Sequence, residues 1–272
     1  MNRFGTRFAE FAQTGDAGLF PYLTAGYPDV ETCRALAQAA LDAGADGFEI
    51  GVPFSDPLAD GATLQRANAR AVASGANLDT AFELVQFIRA RSAEKPIALM
   101  SYYNPLLHRG EVTVAAQLTN AGGDAVIVPD LPVEEDASLR EALVSRQLDL
   151  VPFLAPTSSE TRIAAVAALS PPPGFIYCVA LVGVTGARAG LSDTLDAFLA
   201  RVGRATDVPL VVGFGIARPE HVRAAHKLGA RGVIVASALV DLVDTAPDPL
   251  EAARAYLSTM KAAGQSEVRA GA

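Results

Sequence analysis

The segment from Gly47 to Gly61 has the sequence GFEIGVPFSDPLADG. It begins with the pattern of a buried strand, in which Phe48 and Ile50 flank the carboxylate of Glu49, and it continues as a loop rich in proline and aspartate. Successive side chains of a strand point to opposite faces. If Phe48 and Ile50 pack against helices, Glu49 points to the other face, so its role depends on what that face encloses.

Eight short apolar runs recur along the chain, with helical patterns between them. The runs are GLFPYLT, GFEIG, IALMSYY, DAVIVPD, LDLVPFLAP, FIYCVAL, PLVVGFG and GVIVAS. Strands that lack in–out alternation and are joined by helices indicate a parallel sheet covered on both faces. Glycine ends several helical patterns just before the next strand, which is typical of helix C-caps. Eight such units predict an α/β fold, a single (β/α)8 TIM barrel, with an open doubly wound sheet as the alternative.

The domain organisation follows from the length and from the absence of any linker pattern. The chain has 272 residues, of which 50% are hydrophobic, and this suits one large barrel domain over residues 1–272. Phe4, Phe8 and Phe11 have helical spacing, so we predict an extra amphipathic helix at the N-terminus. We expect the tail from about residue 264 to be frayed.

Composition argues against several classes of protein. The formal net charge of -8 disfavours a general surface for nucleic acid or an anionic membrane. Cys33 and Cys178 lie in a helical and a strand pattern, which is typical of a reduced, cytoplasmic protein. The N-terminus lacks the apolar stretch of a signal peptide, and the run GVIVASALVDLV is too short to span a bilayer. The three histidines, His108, His221 and His226, have no metal-site spacing, so we predict no metal.

Glu49 is the first candidate catalytic residue. In a barrel it points inward near the C-terminal end of its strand, where the active sites of such barrels lie. Partial desolvation there raises the pKa of a carboxyl group, which suits a residue that both takes and gives protons. The alternative is a glutamate held by a salt bridge inside the barrel. Asp60 follows in a loop where aspartate commonly forms turns, so its position alone leaves catalysis and turn formation equally open.

Three late loops predict a phosphate site. They are GVTGARAG (residues 183–190), GFGIARPEH (213–221) and ASALVD (236–241), after the sixth, seventh and eighth predicted strands. Loops at these places often bind phosphate in TIM barrels. Glycine allows backbone N–H groups to approach an anion, and we expect Ser237 to cap a helix and donate. The alternative is that the glycines only shape turns. The sequence contains neither a dinucleotide fingerprint nor a P-loop.

Four segments together resemble the tryptophan synthase alpha chain family: PYLTAGYP, FEIGVPFSDPLADG, GVTGAR and GFGI. The resemblance covers nearly the whole chain in order, and the second segment is highly specific. It implies a (β/α)8 barrel, a lyase of tryptophan biosynthesis that cleaves indole-3-glycerol phosphate to indole and glyceraldehyde 3-phosphate. The three lysines, Lys95, Lys227 and Lys261, do not lie at the C-terminal end of a predicted strand, which disfavours Schiff-base chemistry.

The resemblance also implies site residues. Glu49 and Asp60 match the catalytic pair of the family, Tyr177 matches an active-site tyrosine, and Thr185 matches a threonine of a mobile loop that closes near Asp60. The other substrate-binding positions that it implies are Tyr22, Gly186, Gly213, Phe214, Gly215 and Ser237. The chain departs from the family pattern at Tyr22, where phenylalanine is frequent, at Ala236, where glycine is common, and at Leu181 and Val182, where polar residues are common. These departures bear on affinity more than on activity.

For partners, the resemblance implies a tryptophan synthase beta chain in an αββα heterotetramer. Pyridoxal phosphate is then expected on the beta chain and no cofactor on this one. The candidate contact loops are VPFSDPLAD, YYNPLLHRG and PDLPVEED, in which we expect Leu106, Leu107 and Leu131 to be exposed. The alternatives are another phosphate-binding barrel enzyme, a chain kept mainly as an allosteric partner, and a free-standing lyase that releases indole.

Overall fold

The computed structural model describes residues 2–179 and 193–266 of the chain. Within these residues nine strands form one parallel sheet, and twelve helices accompany it. The strands are β1 Gly18–Thr24, β2 Phe48–Gly51, β3 Ile97–Met100, β4 Ala125–Ile127, β5 Asp149–Val151, β6 Phe153–Leu154, β7 Ile176–Val179, β8 Leu210–Gly213 and β9 Gly232–Val235. The helices are α1 Arg3–Thr14, α2 Val30–Asp42, α3 Ala62–Ala73, α4 Leu78–Arg89, α5 Tyr103–Arg109, α6 Glu111–Ala121, α7 Ala137–Val144, α8 Glu160–Ala167, α9 Asp193–Gly203, α10 Pro219–Lys227, α11 Ser237–Thr245 and α12 Pro249–Ala263.

The sheet closes into a barrel, as the strand count predicts. The strand order is β5-β4-β3-β2-β1-β9-β8-β7-β6, and the two strands at its ends are consecutive in the chain. Only Pro152 separates them. Proline has no backbone N–H to donate, so the fifth predicted strand is interrupted there and counts as two. The Pro152 carbonyl still accepts a hydrogen bond from Tyr177 N–H (3.0 Å). The (β/α)8 fold is therefore confirmed, and the open doubly wound alternative is wrong.

Helix α1 packs under the N-terminal end of the barrel. Phe4, Phe8 and Phe11 are all buried on it, as their spacing predicts. The Phe4 and Phe8 rings contact Phe20 at the start of β1, with centroids 6.0 and 5.8 Å away. They also contact Phe175, just before β7, at 5.0 and 6.0 Å. This aromatic layer fills the N-terminal end of the barrel, which leaves the C-terminal end for a site.

Three helices lack a clear amphipathic pattern in the sequence: α3, α5 and α11, of which only α11 is expected, from Ser237 as its candidate cap. Helix α5 lies inside YYNPLLHRG, which we expected to be a loop. Its Pro105 occupies the first turn, where the missing N–H costs no helical hydrogen bond. In the sequence, however, the proline favours the prediction of a loop. The helix buries Leu106 completely, so the prediction that Leu106 is exposed is wrong. Leu107 is 55% exposed, as expected, whereas Leu131 is only partly exposed and packs against the core.

The last residues that the structure describes are held against the N-terminal part of the chain. We expect the tail from about residue 264 to fray, but residues 267–272 lie outside the described part. Before them, the Ser266 N–H donates to Asp16 (2.8 Å) and the Gly264 carbonyl accepts from Ala17 N–H (2.8 Å). Among the described helices, none combines the length and the apolar character needed to cross a bilayer.

Candidate active site

A cavity of about 240 Å³ opens at the C-terminal ends of the strands. Inward-facing strand residues form its floor, and the loops that follow the strands form its walls. The lining residues are Tyr22, Glu49, Ala59, Asp60, Gly61, Ala62, Thr63, Leu64, Met100, Pro129, Phe153, Tyr177, Phe214, Gly215, Ile216, Ile234, Ala236 and Ser237. Most of this surface is apolar or aromatic. The carboxylates of Glu49 and Asp60 are therefore its candidate acid–base groups.

Glu49 lies on β2 and is only 4% exposed. It is in register with Tyr22 of β1, and both side chains line the cavity, as strand alternation predicts. Within the described residues, no ion pair holds its carboxylate, and the buried Oε2 atom has no hydrogen-bond partner. Burial raises the pKa of Glu49 to about 8, and the charge of Asp60 adds to this effect. A carboxyl group with this pKa is mostly protonated at neutral pH and can give a proton away.

Asp60 reaches the cavity from the loop after β2. The Asn68 Nδ2 atom donates to its Oδ2 atom (3.2 Å), and the Tyr102 hydroxyl also hydrogen-bonds its side chain. Burial raises the pKa of Asp60 to about 6, while the hydrogen bonds from Tyr102 and Asn68 lower it. At neutral pH Asp60 is therefore mostly ionised beside a mostly protonated Glu49. Two carboxyl groups whose environments separate their pKa values in this way can serve as an acid and an anion.

Two inward tyrosines rest against glycines of the neighbouring strands. A Cβ atom added to Gly51 would lie 2.0 Å from the Tyr22 hydroxyl, and one added to Gly213 would lie 2.0 Å from the Tyr177 hydroxyl. Phe153 stacks on Tyr177 with ring centroids 4.6 Å apart. Burial raises the pKa of both tyrosines well above the ordinary value, so both hydroxyls are neutral. Together these rings give the cavity flat apolar walls suited to an aromatic group.

The loop after β8 has an unusual backbone. Phe214 and Gly215 both have left-handed φ angles, 71° and 76°. Such a conformation is rare for a bulky side chain and marks a segment that its surroundings hold in place. The imidazole Nδ1 of His221 lies 3.0 Å from the Gly215 carbonyl, one contact that holds the loop against α10.

The N-terminus of α11 faces the same cavity through Ala236 and Ser237. Ser237 is the first residue of the helix, and Ala236 occupies the N-cap position without any side-chain cap. The expectation that Ser237 caps this helix is therefore wrong, because the hydroxyl comes one residue too late. The partial positive charge and the backbone N–H groups of a helix N-terminus suit an anion.

The structure brings most of the predicted site residues together. Tyr22, Glu49, Asp60, Tyr177, Phe214, Gly215 and Ser237 all line the cavity, whereas Gly213 lies behind Tyr177 and is not on its wall. Thr185 and Gly186 lie outside the described residues, as do the departures at Leu181 and Val182. In the described part of the chain, no group of three or more His, Cys, Asp or Glu side chains is placed to hold a metal ion.

Sequence reasoning missed residues that hold Asp60, above all Asn68 and Tyr102. Asn68 had a detectable signal. It lies in a helix with Leu64, Ala67 and Ala71 on the buried face, and a polar residue within such a stripe usually has a specific partner. Tyr102 had none, since it reaches Asp60 from the loop after the next strand.

Known proteins resemble this chain over nearly its whole length. The family model for the tryptophan synthase alpha chain matches residues 8–268. The tryptophan synthase alpha chain of Roseiflexus sp. (strain RS-1) is 50% identical over 255 residues, which are 94% of this chain and 97% of that protein. The one from Chloroflexus aggregans (strain MD-66 / DSM 9485) is 46% identical over 265 residues, 97% of this chain and 98% of its own length.

Solved structures agree as well. The crystal structure of tryptophan synthase subunit alpha from Legionella pneumophila str. Paris has a TM-score of 0.88 and 34% identity, covering 97% of this chain and 98% of that one. A structure of Mycobacterium tuberculosis tryptophan synthase also has a TM-score of 0.88 and 34% identity, covering 97% and 99%. With a matching fold, a matching family model and relatives aligned almost end to end, this chain belongs to the tryptophan synthase alpha chain family, whose activity is the retro-aldol cleavage of indole-3-glycerol phosphate.

Proposed function

We propose that Glu49 and Asp60 carry out the cleavage of indole-3-glycerol phosphate in this chain. The observation that carries the proposal is the Glu49 carboxyl group, buried in a strand with an unpartnered Oε2 atom and facing one cavity with Asp60. A buried ionisable group without a partner costs stability, and such costs are concentrated at functional sites.

Glu49 acts as the proton shuttle. The bond to be broken joins indole C3 to the glycerol carbon that bears a hydroxyl group. Protonated Glu49 first gives its proton to C3, which forms an indolenine cation. The Glu49 carboxylate then takes the proton of the hydroxyl group as the carbon–carbon bond breaks, and the bonding electrons return to the indole ring. The products are indole and an aldehyde, and Glu49 ends protonated again. The pKa of about 8 suits both steps.

Asp60 acts as the fixed anion. Protonation of C3 places positive charge on the indole ring nitrogen, and an ionised Asp60 near the ring N–H stabilises that charge. Its pKa of about 6 keeps it ionised at neutral pH. The aromatic walls, including Tyr22, Tyr177 and Phe153, then hold the indole ring flat within the cavity.

The phosphate binds at the N-terminus of α11 and at the loop after β8. Ser237 contributes its N–H and hydroxyl groups, and the left-handed Gly215 allows a close backbone approach. Thr185 and Gly186, which lie outside the described residues, remain proposed substrate contacts on the resemblance to the family alone. Gly213 acts indirectly: it does not line the cavity, but because it has no side chain it leaves room for Tyr177. Ala236 brings a methyl group to the same wall, where it limits the space for the phosphate.

The proposed partner is a beta chain that carries pyridoxal phosphate. The two chains form an αββα assembly in the cytoplasm. Exposed apolar side chains in the segments that follow β2 and β3 support this proposal: Leu58, in the loop that carries Asp60, is 88% exposed, and Leu107 of α5 is 55% exposed. Contact at Leu58 would order this loop and position Asp60. We therefore expect a beta chain to speed indole release by about tenfold or more, a coupling free energy of at least about 1.4 kcal/mol.

The test supplies indole-3-glycerol phosphate to the purified chain and measures indole, alone and with the beta chain of the same organism. The chain contains no tryptophan, so indole fluorescence meets little protein background. Indole release that increases with the beta chain supports the proposal. No indole under either condition would favour another phosphate-binding barrel or a purely allosteric subunit. Fast release that the beta chain leaves unchanged would favour a free-standing lyase.

A further inference from the structure

Asn68 is a buried polar residue of α3. This helix follows the loop of residues 52–61 that carries Asp60, here called the catalytic loop. The Asn68 side chain is 2% exposed and lies on the face of α3 that packs into the barrel with Leu64, Ala67 and Ala71. It does not line the cavity, so it has no place in substrate binding. A buried amide without partners costs about 1–3 kcal/mol, so each polar atom of this side chain needs a hydrogen-bond partner.

The Asn68 amide makes three hydrogen bonds, which engage its oxygen once and both N–H groups of its nitrogen. The Oδ1 atom accepts from the Phe54 N–H (3.2 Å). The Nδ2 atom donates to the Leu64 carbonyl (3.0 Å) and to Asp60 Oδ2 (3.2 Å). A flipped amide would set oxygen against two oxygens and an NH2 group against an N–H, so the orientation is determined by the partners.

This orientation has two consequences for Asp60. Because Asn68 Nδ2 can only donate, Asp60 Oδ2 accepts, and this favours Oδ1 as the atom that carries a proton added to Asp60. The same amide also joins Phe54, near the start of the catalytic loop, to Asp60, near its end. The loop is thereby closed on a rigid helix, which reduces the freedom of the Asp60 side chain.

We propose that Asn68 is a positioning residue for the cleavage reaction, one that holds Oδ2 of Asp60 and so fixes the orientation in which the carboxylate meets the indole N–H. This inference rests on the proposed role of Asp60. The hydrogen bond from Asn68 also lowers the pKa of Asp60 against the opposing effect of burial. The described titratable groups that interact with Asp60 are Glu49, Tyr22, Tyr102 and Tyr177, all neutral or anionic. No cation among them replaces the amide, so Asp60 depends on its neutral donors.

The test replaces Asn68 by aspartate, which keeps the shape and the acceptor but removes both donors. We expect Asn68→Asp to lower kcat about tenfold or more, because Asp60 loses its orientation, while KM changes by less than about threefold. The acid limb of the kcat/KM profile should move up by at least about half a pH unit, since a second carboxyl group raises the pKa of Asp60. Asn68→Ser separates the two causes of this shift, because it adds no charge: loss of the donor alone should still move the limb up, whereas a merely structural role would leave it in place.

Two comparisons make the test decisive. Asn77→Asp makes the same chemical change at the exposed N-cap of α4, where aspartate caps equally well, and it should leave kcat and the acid limb unchanged. If Asn68→Asp does not fold, Asn68→Ser decides, because it removes the contact to Asp60 without adding charge and should still lower kcat about tenfold. A folded Asn68 variant with wild-type kcat and an unmoved acid limb overturns the inference. Asp60→Asn, measured in parallel, shows separately whether Asp60 itself matters.

Discussion

The carboxyl groups of Glu49 and Asp60 line one cavity, and the negative charge of Asp60 contributes to the raised pKa of Glu49. Burial is the larger cause for both groups, but hydrogen bonds from Tyr102 and Asn68 offset it at Asp60 alone. The pKa values therefore separate, to about 8 and about 6. One carboxyl group keeps its proton at neutral pH and the other loses it, which is the division of roles that the proposed mechanism needs.

The first prediction is a bell-shaped pH profile for kcat/KM. Activity should rise as Asp60 loses its proton near pH 6, because the anion stabilises the indolenine cation. It should fall as Glu49 loses its proton near pH 8, because the first step needs a proton donor. The measurement is indole release at low substrate concentration across this range.

The substrate phosphate also titrates near pH 6, so the profile needs a control. The control is the pH dependence of glycerol phosphate inhibition, which reports the phosphate without the chemical step. After this correction the acid limb should remain. Activity that keeps rising well above pH 8 would mean that Glu49 does not begin as an acid.

The second prediction concerns stability. The pKa of Glu49 is raised from 4.5 to about 8 on folding, so between these values the folded protein binds more protons than the unfolded chain. The free energy of unfolding should therefore fall with rising pH, by up to about 1.4 kcal/mol per pH unit from this group. Glu49→Gln removes this effect. The free energy of unfolding of the variant minus that of the wild type should therefore increase between pH 5 and pH 8.

Chemical denaturation at several pH values measures this difference. Glu94→Gln, at an exposed position, serves as the matched control and should run parallel to the wild type. If Glu49→Gln also runs parallel to the wild type, Glu49 titrates normally in the folded protein and the account of its burial is wrong.

The third prediction concerns Gly213. A Cβ atom there would lie 2.0 Å from the Tyr177 hydroxyl, so Gly213→Ala must displace the tyrosine ring. We expect the free energy of unfolding to fall by about 1–3 kcal/mol and indole release to slow. Gly203→Ala is the control, because a Cβ there meets nothing within 4 Å and alanine favours the helix. Equal stability of the two variants would show that Tyr177 has room to move.

The fourth prediction concerns the phosphate. Backbone donors dominate the proposed site, so Ser237→Ala should weaken glycerol phosphate binding by only about 1 kcal/mol. Gly215→Val should weaken it much more, because valine is strained at a φ of 76° and blocks the approach of the anion. Inhibition constants against indole release measure both effects. Wild-type inhibition of Gly215→Val would place the phosphate elsewhere.

The fold was predictable from the sequence because buried parallel strands form continuous apolar runs. Helices α3, α5 and α11 show the limit of this signal, because none of them has a clear amphipathic pattern in the sequence. Helix α3 buries alanines around one leucine, which gives only a weak pattern. Helix α11 follows β9 with Ala236 alone between them, so the strand and the helix merge into one apolar run. Their residues Leu64, Asn68 and Ser237 all contribute to the site or its support.

The site was predictable only where side-chain alternation or a family motif reached it. Strand alternation alone directs Glu49 inward, and the resemblance to the family drew attention to Asp60. Neither could show that Asn68 and Tyr102 hydrogen-bond the Asp60 side chain, since these contacts depend on how a loop folds against its neighbours. Gly213 shows the converse, because a motif position expected at the phosphate instead makes room for Tyr177.

The most direct test of the account is the rate of indole release by purified Glu49→Gln. Glutamine has nearly the shape of glutamate and should keep the cavity intact, but it cannot relay a proton. The account predicts a rate lower by about a hundredfold or more, with normal folding and unchanged glycerol phosphate binding. Indole release near the wild-type rate would contradict the central claim that Glu49 shuttles the proton.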